Sequence, residues 1–285
     1  MAEKNPTADS AGKNFTLPGT KVMLQGATGA GKTHAIRTLV DAGLEVFILF
    51  TEPAMELVED LSTDKVHYAY VPPASVSFAD MMESARKINT MSMKALASLD
   101  GVNKQLHNQF YTLLSACANF VCDRTGESFG NIDDWGPERV LVVDSLSGLN
   151  IMAMDLVTGS KPVKAMADWG IAMDNLERFV NHLCMVSRCH FVLTAHLERE
   201  HDEVTGGVHL MASTLGRKLA PRLPRYFSDV ILTRKEDKEW WWSTSSPNID
   251  LKARNIPYSD KLPPTFVPLI NGWRKKQGLS PVEPK

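Results

Sequence analysis

The sequence holds 285 residues, 44% apolar and 22% charged, with a formal net charge of −2 and an isoelectric point near 6.5. That length and apolar content suit one large α/β domain or two small ones, while the near-neutral charge excludes a surface that holds polyanions everywhere and confines any nucleic-acid contact to a local patch. No apolar stretch approaches the ~20 residues of a membrane span, and no basic and apolar leader opens the chain, so no membrane partner and a cytoplasmic location are expected.

Residues 1–17 are small and polar, the composition of a flexible tail, and residues 273–285 read the same way. Between them, over 18–272, short apolar runs alternate with helical stretches, the pattern of a mostly parallel sheet covered by helices. The first run, KVMLQ, leads into GATGAGKT, Gly26 to Thr33, and then into THAIRTLVDAG. The spacing G-x-x-x-x-G-K-[ST] falls on Gly26, Gly31, Lys32 and Thr33, with a strand before it and a helix after it. A loop with few Cβ atoms can turn its N–H groups inward at a helix N-terminus and hold phosphate. Gly26, Ala27, Thr28, Gly29, Ala30, Gly31, Lys32, Thr33 and His34 are therefore the expected nucleotide contacts. Lys32 would reach the β- and γ-phosphates and the Thr33 hydroxyl would bind Mg²⁺, making ATP and Mg²⁺ the expected cofactors.

The next strand, EVFILF, delivers Glu52 to its end, with Pro53 at the expected first position of a helix. Glu52 is the candidate base for the attacking water; its plainer use would be to complement a helix dipole. After VHYAYV comes a stretch with helical spacing, about 77–136, in which Met81, Met82, Met91 and Met93 are expected as core or interface filler. RVLVVD ends in Asp144, where a second Mg²⁺-associated carboxylate is expected at the carboxyl edge of the sheet. In many P-loop ATPases the water-preparing acid follows this Asp directly; the residue here is Ser145, so that role falls to Glu52. HFVLTA carries His196 to the same edge, as a sensor of the γ-phosphate or as a structural histidine.

Cys117, Cys122, Cys184 and Cys189 form two Cys-x4-Cys pairs. The first pair falls on different faces of a helix and no chelating loop joins the two, which favours reduced thiols over a zinc site. DVILTR is the last of the parallel strands expected. KEWWWSTSSPNIDLKARN reads as a hairpin turning at SSPN, with Trp240 and Trp242 on one face and Trp241 on the other; packing or a protomer interface is the expected use of these rings, and stacking on nucleic-acid bases the alternative if they are exposed.

Taken together, the P-loop, the Glu at the end of the next strand, VVDS and the polar residue that opens the following loop resemble the RecA-type recombinase core, from about Lys21 to Phe266. TAHLERE and KAR are most similar to the core-only RecA-like annealing proteins of phages, the Sak group. The resemblance implies a RecA-like fold with a C-terminal β-hairpin, ATP hydrolysis, a homo-oligomeric filament or ring, and two loops that hold single-stranded DNA. MDLVTGSKPVKAMADWG would be the first loop, with Lys161 and Lys164. LEREHDEVTGGVHLMAS would be the second, with Arg199, His201, Gly206 and Gly207, adjoined by Arg217 and Lys218. The resemblance also implies that Lys252 and Arg254 enter a neighbour's ATP site and stabilise charge on the transferring phosphoryl group.

One departure stands out: Glu198, Glu200, Asp202 and Glu203 share the second loop with its cations, which predicts weak and salt-sensitive DNA binding. The function expected is ATP-dependent DNA recombination through annealing or strand pairing, in a host cytoplasm if the chain is phage-encoded. The alternatives are an ATP-dependent loader that binds a single-strand DNA-binding protein, and a small-molecule kinase, for which the sequence offers no arginine-rich lid.

Overall fold

The computed structural model describes residues 17–99, 104–201 and 207–283. Its strands are β1 (Lys21–Gly26), β2 (Glu45–Phe50), β3 (Val66–Tyr70), β4 (Arg139–Asp144), β5 (His190–Ala195), β6 (Leu197–His201), β7 (Val208–Ala212), β8 (Asp229–Glu236) and β9 (Glu239–Ser243). Its helices are α1 (Lys32–Ile36), α2 (Thr38–Asp41), α3 (Phe78–Thr90), α4 (Met93–Ala97), α5 (Gln109–Ala118), α6 (Leu146–Thr158), α7 (Met166–Met185) and α8 (Val267–Lys276). No helix among the described residues is long and apolar enough to cross a membrane.

Seven strands make one sheet in the order β3-β2-β4-β5-β1-β8-β9. The first six are parallel, and β9 returns antiparallel beside β8. Strands covered on both faces need apolar side chains at successive positions, which is why EVFILF and RVLVVD, in adjacent strands within the sheet, are nearly unbroken in Val, Ile, Leu and Phe, while VHYAYV at the edge is more mixed. On one face Phe47, Leu141 and Phe191 pack with Leu149 of α6 and Leu176 of α7. On the other, Leu24 and Ile48 pack with Ile36, Leu39, Trp242, Phe266 and Ile270. The carboxyl ends of β2, β4, β5 and β1 therefore lie side by side, and the loops leaving them share one edge.

Four expectations are corrected. The hairpin does not turn at SSPN: β8 and β9 are joined through Asp237 and Lys238, with Asp237 at φ 52°, a left-handed conformation that Asp tolerates, and Glu236 faces Glu239. Lys252 is then not on a second hairpin strand but makes an isolated bridge with Val230 near the start of β8. The first expected DNA loop is mostly helix, because α6 runs to Thr158 and α7 starts at Met166, leaving 159–165 between them. The methionines of the insertion are not core: Ser77 caps α3 through the Asp80 N–H, yet no residue of α3 is buried, and Phe78, Met81, Met82 and, in α4, Met93 are exposed.

The C-terminal boundary expected at 273 falls inside α8. Trp273 is buried and donates to the Pro18 carbonyl at 2.9 Å, and the Val282 N–H donates to Asn271 Oδ1 at 2.7 Å. The tail expected over 1–17 lies outside the described residues except for Leu17.

Trp242 is fully buried, edge-on to Phe266 at 4.8 Å between centroids, and it links β9 to the α1 side of the sheet. Trp242→Ala should lower unfolding free energy by about 3–5 kcal/mol, read from urea melts, since a cavity opens under the nucleotide-side helices.

Candidate active site

Gly26 ends β1 directly against β8. A Cβ there would lie 2.2 Å from Thr233 Oγ1 and 2.8 Å from the Thr233 carbonyl oxygen, so only glycine lets the two strands run together at the point where the loop departs. Gly31 has φ 86°, open to glycine and strained for other residues, and it turns the backbone into α1. Lys32 then lies buried, its ammonium donating to the Gly26 and Ala27 carbonyls at 2.9 Å each. Burial lowers its pKa, against the opposing pull of Asp144 and Glu52. A lysine tied to its own loop in this way closes the cradle and has donors to offer a phosphate.

Asp144 ends β4 beside that loop. Its Oδ2 accepts from the Thr33 hydroxyl at 2.8 Å and its Oδ1 accepts from the Thr194 hydroxyl. Burial raises the pKa of Asp144 despite both hydrogen bonds. A neutral hydroxyl and a desolvated carboxylate side by side are hard oxygen donors. They fit Mg²⁺, which keeps several waters and takes one or two protein oxygens; Thr33 and Asp144 would hold it. Among the described residues no group of three or more His, Cys, Asp or Glu gathers as a metal site, and the cysteines are free, with burial pushing the Cys117 and Cys184 thiols up to about 12.

Glu52 lies in an irregular bend two residues past β2. Pro53 does not open a helix; a single 3₁₀ turn, Met55–Leu57, follows, so the helix-dipole use of Glu52 lacks its helix. Instead Glu52 Oε1 accepts from the Ser145 hydroxyl at 2.7 Å, and Oε2 lies 3.9 Å from His196 Nε2. The other ring nitrogen of His196, Nδ1, is 3.4 Å from both Lys32 Nζ and Thr28 Oγ1. Burial, reinforced by the Lys32 charge, lowers the His196 pKa, so the ring favours its neutral form. His196 thus spans the acid and the phosphate loop. The four side chains line one cavity of ≈ 690 Å³, within the range of nucleotide-sized pockets.

Three contributors were not read from the sequence. Thr194 is a polar residue directly after the apolar run Phe191–Leu193 of β5, a visible signal of a side chain with a buried partner. Thr51 exchanges hydrogen bonds with the Ser145 backbone at 2.8 and 2.9 Å and has no local signal. Trp240 reaches the cavity wall only through the β8–β9 pairing.

The residues assigned to DNA are dispersed. Lys161 is paired with Asp168 at 3.0 Å, and Lys164 lies 5.9 Å from the Trp169 ring centroid. Arg199 and His201 are exposed on β6, which pairs antiparallel with β7 as a separate ribbon beginning one residue after His196. Gly206 lies outside the described residues; Gly207, Arg217 and Lys218 are exposed, Arg217 at 3.7 Å from Glu200. The Ser213 N–H, at the ribbon's return, donates to the His196 carbonyl at 2.8 Å. Lys252 is turned inward, donating to the Pro224, Arg225 and Phe227 carbonyls at 2.7, 3.2 and 3.3 Å, near the strand edge opposite the phosphate loop, while Arg254 is exposed.

The Asp144 shift gives a signed test. Its folded pKa lies above the unfolded value near 3.8, so ionised Asp144 costs stability that is absent below that value, grows as pH rises through the folded pKa, and then levels off. Asp144→Asn should therefore raise the melting temperature of the nucleotide-free protein at pH 7, with the gain shrinking as pH falls toward 4; an unchanged gain across that range would contradict the assignment.

No curated protein matches the sequence. Among solved structures, the chain is similar to the P4 protein from bacteriophage phi6 in complex with ADP, at 14% identity and a TM-score of 0.26, covering 87% of this chain and 65% of that one. A likeness of that strength carries no functional weight, and the chain spans less than two thirds of that protein's length. The sequence does match the AAA domain family over residues 18–254, across the phosphate loop, Glu52, Asp144 and His196. The chain belongs to the AAA domain family, with a P-loop core built on a mostly parallel α/β sheet.

Proposed function

We propose that the protein hydrolyses ATP within a homo-oligomer and couples hydrolysis to single-stranded DNA, promoting annealing or strand pairing in recombination. The observation that carries this reading is the position of His196, in contact range of Lys32, Thr28 and Glu52 and at the root of the β6–β7 ribbon. In this reading Lys32 exchanges its loop carbonyls for the β- and γ-phosphates. Glu52, oriented by Ser145, takes a proton from the attacking water. Mg²⁺ on Thr33 and Asp144 would supply charge neutralisation for the phosphoryl group. His196 then senses whether the γ-phosphate is present, and its carbonyl bond to Ser213 passes that state to the ribbon.

Arg199 and His201 on the ribbon, together with Gly206, Gly207, Arg217 and Lys218, serve the phosphate backbone, with Lys161 and Lys164 on the α6–α7 connection. The pairing of Lys161 with Asp168 and of Arg217 with Glu200 limits the affinity, since each phosphate contact depends on a cation free to replace a counterion. The folded core, from residue 18 through α8 and with its insertion over about 77–136, would assemble so that Arg254, from an exposed position, completes a neighbouring pocket; Lys252 would hold that segment in place through its three carbonyl contacts. The acidic residues interleaved on β6 favour a second reading, in which the ribbon docks a single-strand DNA-binding protein and ATP times its release.

Glu52→Gln should leave ATP affinity within a few-fold of wild type while cutting turnover about 10²–10⁴-fold, as loss of a general base does. Mixing Glu52→Gln with Arg254→Ala should restore part of the rate that neither variant shows alone, because each supplies what the other's pocket lacks. Steady-state phosphate release, measured across protein and single-stranded DNA concentrations, checks both; a rate indifferent to DNA and to protein concentration would leave only the ATPase.

A further inference from the structure

The β8–β9 hairpin rises past the edge where phosphate would bind. Gly26 faces Thr233 across β1 and β8, and Thr233 faces Trp242 across β8 and β9. Trp240 lies two residues further on, opposite Lys235, so it stands about 7 Å beyond the carboxyl end of β1 at the usual rise per residue. Side chains two apart on a strand share a face. Trp242 enters the apolar cluster around Ile36 of α1, so Trp240 projects on the α1 side, over the phosphate loop.

The contacts agree. Trp240 Nε1 is 3.4 Å from the Gly29 carbonyl oxygen, and a Cβ built on Gly31 would lie 3.0 Å from Trp240 Cδ1. Trp240 is 44% exposed, with the Lys235 ammonium 5.0 Å from its ring centroid, and it lines the cavity that holds Lys32 and Asp144. Trp242, not Trp240, is the ring that fills the core.

The cavity is divided by chemistry. Its polar side chains Thr28, Lys32, Thr33, Glu52, Asp144 and His196 belong to the phosphate loop and the strand ends, where the triphosphate would lie. The other described side chains that line it are Ala35, Pro53, Ala54, Leu57, Pro264 and Trp240, apolar but for the indole N–H, and His34. A stacking ring reads the π-face that every base has, whereas telling one base edge from another takes buried polar partners.

Resting on the reading of this cavity as a nucleoside-triphosphate site, we propose that Trp240 is the stacking wall for the nucleobase, and that the site selects by triphosphate and ring area. It takes ATP and GTP alike and holds the smaller pyrimidine nucleotides less tightly.

The test is calorimetric affinity of the full chain with Mg²⁺ for ATP, GTP, CTP, UTP and inorganic tripolyphosphate, in wild type, Trp240→Phe, Trp240→Leu and Trp240→Ala, with thermal melts confirming that each variant folds. Wild type should bind ATP and GTP within about threefold of each other and the pyrimidines more weakly, as stacking area dictates. Trp240→Ala and Trp240→Leu should lose about tenfold or more for ATP and GTP with tripolyphosphate unchanged, and Trp240→Phe should recover most of the loss.

Variants that bind ATP as wild type does would overturn the proposal. Equal weakening of tripolyphosphate would overturn it too, leaving Trp240 as a prop for the phosphate loop, as would a preference for ATP over GTP beyond about 100-fold, the mark of edge recognition. Wild-type protein that binds neither ATP nor tripolyphosphate would remove the triphosphate reading itself, and this proposal with it.

Discussion

Asp144 accepts hydrogen bonds from Thr33 and Thr194 while buried at the end of β4, and the arrangement of the site follows from keeping that carboxylate company. A desolvated charge is costly unless polar groups surround it. Thr33 comes from α1, Thr194 from β5, and the Lys32 ammonium stands near enough to oppose part of the shift. Each partner is in place only because β1, β4 and β5 are neighbours in the sheet. The burial that raises the Asp144 pKa also lowers those of Lys32 and His196, so in each case it works against the charged form. A bound triphosphate with its cation would reverse the charge balance for each of them at once.

The six parallel strands were legible because burial on both faces leaves the sequence little choice of side chain: EVFILF and RVLVVD have few other uses. The phosphate loop was legible because its constraint is local, a glycine packed against Thr233 and a left-handed turn at Gly31. Asp144, Glu52 and His196 were found by a rule of position, since residues leaving the carboxyl ends of parallel strands meet on one edge.

What the sequence hid depends on partners distant along the chain. Asp237 and Lys238 make the hairpin turn without the glycine that usually marks one, while SSPN has turn composition but lies outside the β8–β9 hairpin. The apolar run LSGLNIMAMDLVT continues α6 through residues that a family pattern assigns to a loop. Lys252 looks available by composition, and only the carbonyls of Pro224, Arg225 and Phe227, more than twenty residues away, reveal that it faces inward.

Trp240 and Trp242 occupy one short, stiff strand, the first at the rim of the cavity and the second locked in the α1-side core. Because a strand transmits displacement along its length with little give, that rim is geared to the packing beneath it. A change in volume around Phe266 would therefore be felt two residues along the strand at the mouth of the cavity, tying the shape of the opening to the packing of the core.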